Sequence, residues 1–280
     1  MTPSAGRPRQ IRARGHVLSC ERTLIMGVLN VTPDSFSDGG RSAEPHDALA
    51  NALAMAAEGA DMLDIGGEST RPGHVPLSAE DEWARIAPVF AGLAGRDGLP
   101  PLSIDTWKAD VARRALVAGA SIVNDIWGFQ REPDTAHVAA EFGAAAVVMH
   151  NRETIDPAID IIADMLALFE RALEQAEAAG LPRADVVLDP GIGFGKTPEQ
   201  NLDALRRLSE LRVLGQPILL GASRKSFIGR IYTSTPQERL PGSIAAHVAG
   251  ILAGVEIIRV HDVAAHVQAA RVADAIRPRP

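Results

Sequence analysis

Leu24-Ile25-Met26-Gly27-Val28-Leu29-Asn30-Val31-Thr32-Pro33-Asp34-Ser35-Phe36-Ser37-Asp38-Gly39-Gly40 passes from an apolar run straight into hydroxyls, carboxylates and glycines. Continuous rather than alternating hydrophobicity over Leu24–Asn30 predicts a strand buried on both faces, as parallel sheets require. The loop after it opens on Pro33-Asp34 and closes on Gly39-Gly40, which taken alone suits an ordinary turn. A buried strand that breaks into such a loop is also where α/β proteins place chemistry. The rest of the chain decides between these readings, because the pattern recurs.

Similar apolar runs stand at Met62–Gly66, Leu102–Asp105, Ile122–Asp125, 145–150, Val186–Asp189, 218–223 and 257–262, each stopping at polar residues. Between them lie stretches rich in alanine and leucine with helical spacing, clearest over 47–59, 79–93, 108–119, 159–180 and 198–211, with another over 263–276. Gly59, Gly119 and Gly180 supply the usual C-terminal stop. Eight strand–helix units in 280 residues predict an α/β fold of the (β/α)8 TIM-barrel type rather than an open doubly wound sheet. Residues before Leu24 are expected to form a short hairpin on the barrel floor. Residues 1–14, basic and rich in Pro and Gly, are expected to be a mobile tail, which leaves 15–280 as one domain.

Composition narrows the class of partner. Hydrophobic residues make up 46% of the chain, charged residues 22% and aromatics 4%, as in a globular protein with an aliphatic core. A formal charge of -7 gives no reason to expect nucleic acid or an anionic membrane as a partner. No apolar run is long enough for a membrane span. A single cysteine, Cys20, excludes an intrachain disulfide and a multi-cysteine zinc site and points to a reducing cytoplasm.

In a barrel of this kind the active site lies where the strands end. Those ends carry Asn30, the Glu68-Ser69-Thr70-Arg71 loop, Asp105, Asn124-Asp125, His150, Asp189, Ser223-Arg224-Lys225 and Arg259-Val260-His261. Asp189-Pro190-Gly191-Ile192-Gly193-Phe194-Gly195-Lys196-Thr197 ends like a P-loop, but Pro190 stands where that motif needs glycine, and no Rossmann acidic partner follows. Asp189 reads instead as an acceptor for the N–H groups of a heterocycle. Carboxylates and an amide deep in the barrel (Asp105, Asn124, Asp189) therefore face cations expected at the rim (Arg71, Lys225, Arg259, His261). That polarity suits a ligand with a nitrogen-rich ring at one end and phosphate at the other. A hard cation such as Mg²⁺ could enter with the phosphate, with Asn30 as its candidate ligand.

These segments, in this order, resemble the bacterial dihydropteroate synthases over roughly residues 24–276. The matching pieces are Asn30 to Gly40, Asp64 to Gly73, Ser103-Ile104-Asp105-Thr106, Asn124-Asp125, Leu188 to Lys196, Ser223-Arg224-Lys225-Ser226-Phe227 and Arg259-Val260-His261-Asp262. The resemblance implies a (β/α)8 transferase of folate biosynthesis, a cytoplasmic homodimer and sulfonamide target. It implies condensation of 6-hydroxymethyl-7,8-dihydropterin diphosphate with 4-aminobenzoate, with release of pyrophosphate. Carried over by position, Asp105, Asn124, Asp189 and Lys225 bind the pterin, and Thr70, Arg71, Arg259 and His261 hold the diphosphate. Phe36, Arg71, Pro72, Ser223 and Lys225 shape the aminobenzoate pocket, and Asn30 ligates Mg²⁺. Asp105, Lys225, Arg259 and His261 form the implied catalytic set. After His150 the chain departs from a common family pattern, with Asn151-Arg152-Glu153-Thr154-Ile155-Asp156 in place of a glycine-containing loop. A pterin-binding methyltransferase and a noncatalytic pterin binder are the competing readings; neither needs the rim cations, because neither holds a diphosphate.

Overall fold

The structure is a computed structural model and describes residues 9–31, 45–68 and 76–277. A two-stranded antiparallel hairpin, β1 (Gln10–Ala13) and β2 (His16–Ser19), precedes the barrel. The barrel strands are β3 (Leu24–Asn30), β4 (Met62–Gly66), β5 (Leu102–Asp105), β6 (Ile122–Asp125), β7 (Ala145–Met149), β8 (Val186–Asp189), β9 (Leu219–Leu220) and β10 (Ile257–Val260). They form one sheet in the order β8-β7-β6-β5-β4-β3-β10-β9. Every pairing within it is parallel. A parallel bridge from Leu188 to Ile218 closes the circle. Around it stand helices α1 (Pro45–Ala57), α2 (Ala79–Leu93), α3 (Ala109–Val117), α4 (Asp134–Phe142), α5 (Ile161–Ala178), α6 (Pro198–Arg206), α7 (Ser226–Ile231), α8 (Leu240–Leu252) and α9 (Val263–Ile276).

Register is what builds the site. Asn30 pairs with Gly66, Gly66 with Asp105 and Asp105 with Asn124. Four consecutive strands thus set Asn30, Gly66, Asp105 and Asn124 side by side at one level. Local signals fix where the helices begin. Ser78 accepts the N–H of Asp81 at the start of α2, Asp160 accepts two N–H groups of α5, and Thr197 and Gln200 form a capping box on α6.

Two strands and three helices depart from the sequence reading. Gln10–Ala13 is a strand, so the tail expected over 1–14 gives way to the hairpin from Gln10 onward; residues 1–8 lie outside the described residues. The cause is packing: Ile11 and Ala13 are buried against the ends of the barrel strands, and Arg12 N–H bonds Asp185 Oδ1 at 2.9 Å. The seventh strand, expected over 218–223, is only Leu219–Leu220, because the chain turns out of the ladder to bring Gly221 and Lys225 into the lining of the mouth. Helices α4, α7 and α8 carry weaker sequence signals. α4 has nine residues and ends on Gly143 in the left-handed conformation at φ 63°.

The interior divides in two. One cluster lies between sheet and helices, while Ile11, Leu24, Met26, Met62, Ile122, Val147, Val187, Leu219 and Ile257 fill the floor under the hairpin. Ile11→Ala should lower unfolding free energy by roughly 2–4 kcal/mol, through lost burial and the cavity left behind. Pterin affinity should be unchanged, since the floor lies at the opposite end of the strands. Chemical denaturation alongside a binding titration checks both; a stability change within experimental error would show that the hairpin does not contribute to the floor.

Candidate active site

Arg259 is the centre of the described site. Its Nε donates to Asp64 Oδ2 and its Nη2 to Asp105 Oδ2, both at 2.6 Å. Asn124 Nδ2 donates to the same Asp64 oxygen at 2.8 Å. Asp64 is wholly buried, and its Oδ1 has no partner among the described residues. Arg259 is in register with Met26, and Met26 with Met62, two residues below Asp64 on β4. Its side chain therefore rises inside the barrel. It sits deeper than the rim position expected from sequence, drawn down by two carboxylates in an apolar tube. Burial pushes the Asp105 carboxyl up to about 7, with Arg259 opposing and Asp64 reinforcing that shift. Asp64 and Asp105 hold Arg259 charged, well above the ordinary guanidinium value, against the cost of burial.

Asn124 is left with its amide oxygen as acceptor once its nitrogen serves Asp64. Its neighbour Asp125 plays a different part. Its carboxylate accepts the N–H groups of Trp127 at 2.7 Å and Phe129 at 2.9 Å, so it shapes the turn after β6. Gly66 lies beside Asp105, where a Cβ would meet the aspartate Cβ in ordinary van der Waals contact at 3.4 Å.

The opposite wall comes from β8 and the turn after β9. Asp189 Oδ1 accepts the Gly191 N–H at 2.7 Å. Its Oδ2 faces Gly221, which carries no side chain to cover it. Burial pushes Asp189 up, opposed by that N–H and by Lys225. Lys225 Nζ lies 4.1 Å from the centre of the Phe194 ring. Burial pushes this ammonium down to about 8, with Asp189 acting against that shift. Arg224, at φ 56°, is held in its left-handed conformation by Asp262, which takes its Nε at 3.1 Å and its Nη2 at 2.6 Å. That constraint sets the backbone from which Lys225 enters the mouth.

Asp105, Asn124, Asp189, Lys225 and Arg259 line one cleft together with Met149, whose free space is about 350 Å³, part of it open to solvent. Ser223 and His261 bond to each other, Oγ to Nδ1 at 2.9 Å, outside that lining. Burial and Arg259 push His261 down to about 3, so its ring is neutral and not the rim cation expected from sequence. Asn30 stands at the level of Gly66, where strand β3 ends. Phe36, Thr70, Arg71 and Pro72 lie outside the described residues.

Sequence reasoning passed over Asp64, Met149, Ile126, Phe194 and Gly221 as site residues. Asp64 carried a usable signal: a carboxylate inside a continuous apolar strand must be paired. The others are apolar or lack a side chain, and only the fold reveals which face they line. His150 goes the other way. Its Nε2 lies 2.9 Å from Asp164 on α5 and its ring packs edge-on to Phe169, so it does not reach the cleft.

A cleft that presents two carboxylates, an amide and a guanidinium beside a buried ammonium fits a flat heterocycle with several N–H groups. Comparison with known proteins agrees. The family model described as pterin binding enzyme matches residues 26–261. Dihydropteroate synthase of Clostridium beijerinckii is 45% identical over 257 residues, which is 91% of this chain and 95% of that protein. The structure of dihydropteroate synthase from Clostridium difficile in the presence of pteroic acid is 48% identical and superposes with a TM-score of 0.87, covering 92% of this chain and 98% of that one. That of Xanthomonas albilineans dihydropteroate synthase with 4-aminobenzoic acid is 39% identical, with a TM-score of 0.91 over 98% of this chain and 100% of that one. The chain belongs to the dihydropteroate synthase family of pterin-binding enzymes.

Proposed function

We propose that the chain joins the methylene carbon of 6-hydroxymethyl-7,8-dihydropterin diphosphate to the amine nitrogen of 4-aminobenzoate, releasing pyrophosphate. The observation that carries this reading is the cleft itself, which Asp189, Asn124 and Lys225 line together with the Arg259–Asp105 pair.

In this reading Asp189 Oδ2 and Asn124 Oδ1 accept ring N–H groups, and Lys225 donates to ring acceptors. As the carbon–oxygen bond lengthens, the electron pair leaves with the diphosphate and positive charge grows on the pterin methylene. Asp105 offsets that charge, and Arg259 keeps it ionised for the purpose. The amine lone pair then forms the carbon–nitrogen bond, and the nitrogen loses its proton to solvent or to the departing pyrophosphate. No strong base is needed, because the arylamine is a nucleophile when neutral. His261, held neutral and fixed by Ser223, and Thr70 and Arg71 serve the diphosphate end. Phe36, Arg71, Pro72, Ser223 and Lys225 form the aminobenzoate side.

Magnesium fits this site as a visitor carried by the diphosphate. Among the described residues no group of three or more His, Cys, Asp or Glu side chains could hold a metal. Asn30 offers one neutral oxygen donor, which suits a hard cation that keeps most of its water. When bound, the ion would neutralise charge on the leaving group. The resemblance to the synthases is what supports a homodimer. The single cysteine of the sequence, Cys20, is what supports a reducing cytoplasm. Among the described residues no helix is long and apolar enough to cross a membrane.

The direct test is product formation followed by chromatography, with Mg²⁺ and each substrate omitted in turn. Dihydropteroate that requires both substrates is expected; pterin binding without product would overturn the reading. A second expectation concerns pH. Asp105 takes up a proton as pH falls through about 7, and Lys225 loses one as pH rises through about 8. The kcat/KM for the pterin substrate should therefore peak between those values and fall on both sides. Lys225→Arg should lower the peak but abolish the alkaline limb up to about pH 10, since a guanidinium stays charged there. An unchanged alkaline limb in that variant would remove Lys225 from the assignment.

A further inference from the structure

The loop between β8 and α6 holds a lysine that the reaction above does not use. Lys196 is buried, and its Nζ donates to three carbonyl oxygens: Gly191 at 2.8 Å, Phe194 at 3.0 Å and His150 at 3.2 Å. An ammonium has three N–H groups and no acceptor, so this arrangement uses it completely. A neutral amine would turn a lone pair toward one of those oxygens. Burial does push Lys196 down to about 7, and Asp189 acts in the other direction. The capping box on Thr197 fixes the end of the loop, so Gly195-Lys196-Thr197 has a structural logic unlike that of a P-loop.

The surroundings leave the loop no alternative path. A Cβ on Gly191, at φ +63°, would come within 2.0 Å of the His150 carbonyl oxygen. One on Gly195, at φ +56°, would come within 2.6 Å of the Arg152 carbonyl oxygen. The loops after β7 and β8 are thus pressed backbone to backbone, with carbonyls converging on one point. A cation there turns mutual repulsion into cohesion. Arg152 is itself tied to Asp164 at 2.7 Å, so the segment that departs from the common family pattern is the firm surface against which the loop rests.

Two of the three clasped residues, Gly191 and Phe194, line the cleft, and the Phe194 ring lies under the Lys225 ammonium. We propose that Lys196 is a positioning residue for the pterin, fixing the Phe194 ring and through it Lys225 by gathering the carbonyls of Gly191, Phe194 and His150. This rests on the synthase reading, because it names a further residue of the same site. Lys196 touches no substrate; it sets the wall that does.

The test is a double-mutant cycle with Lys196→Met and Phe194→Leu, reading calorimetric affinity for 6-hydroxymethyl-7,8-dihydropterin diphosphate, steady-state kinetics and thermal unfolding in the same preparations. Lys196→Met should weaken pterin affinity and raise its KM about tenfold or more, with kcat changed less than about threefold. In the Phe194→Leu background the same substitution should change affinity by less than about threefold, because its route to the ligand is gone. Equal effects in both backgrounds would overturn the proposal, as would a lowered melting temperature with affinity intact. Lys196→Gln carries the same comparison if the methionine variant does not fold. Absence of product from the wild type would overturn the synthase reading alone, since affinity is measured independently.

Discussion

The Arg259 guanidinium between Asp64 and Asp105 is the constraint on which the rest of the site depends. Three charged side chains in the middle of an aliphatic barrel would each cost several kcal/mol if left alone. Together they satisfy one another at 2.6 Å, and Asn124 joins through the same Asp64 oxygen. Removing Arg259 leaves two buried carboxylates unpaired, so the group depends on the guanidinium. Its net negative charge is then available to a ligand that brings N–H groups or develops positive charge.

Backbone register converts that constraint into a binding site. The paired ends of β3, β4, β5 and β6 set Asn30, Gly66, Asp105 and Asn124 at one level, while β10 starts its arginine lower and sends it upward. The last strand to close the barrel is only two residues long. That brevity frees residues 221–225 to cross the mouth, where Lys225 meets Asp189 and Phe194. The shortest strand of the sheet is therefore the one that delivers the ammonium.

Much of this could be read from residues alone, for a physical reason. Parallel strands buried on both faces leave continuous apolar runs, and each polar residue ending such a run stands out. Asp105, Asn124, Asp189 and Lys225 were visible that way, and the structure lines one cleft with them. The depth of Arg259 was not legible, because register between strands leaves no trace in a single sequence. Asp64 was hidden inside a run read as apolar, although its burial demanded a partner. The hairpin before Leu24 was legible, but its first strand, Gln10–Ala13, was assigned to the tail because the basic composition around it outweighed the short apolar alternation that packs on the floor. Lys196 was set aside with the P-loop reading. Its three carbonyl partners come from two loops and are brought together only by folding.

The deep end of the cleft, where Asp189 and Asn124 lie, reads the pterin ring alone, before any diphosphate is engaged. Calorimetric titration of 6-hydroxymethylpterin, which lacks the diphosphate, into the wild type and Asp189→Asn tests it most directly. The wild type should bind, and the asparagine variant should bind about a hundredfold more weakly, because its amide presents a donor where the ring needs an acceptor. Equal affinity for the two proteins, or no binding to the wild type, would contradict the account.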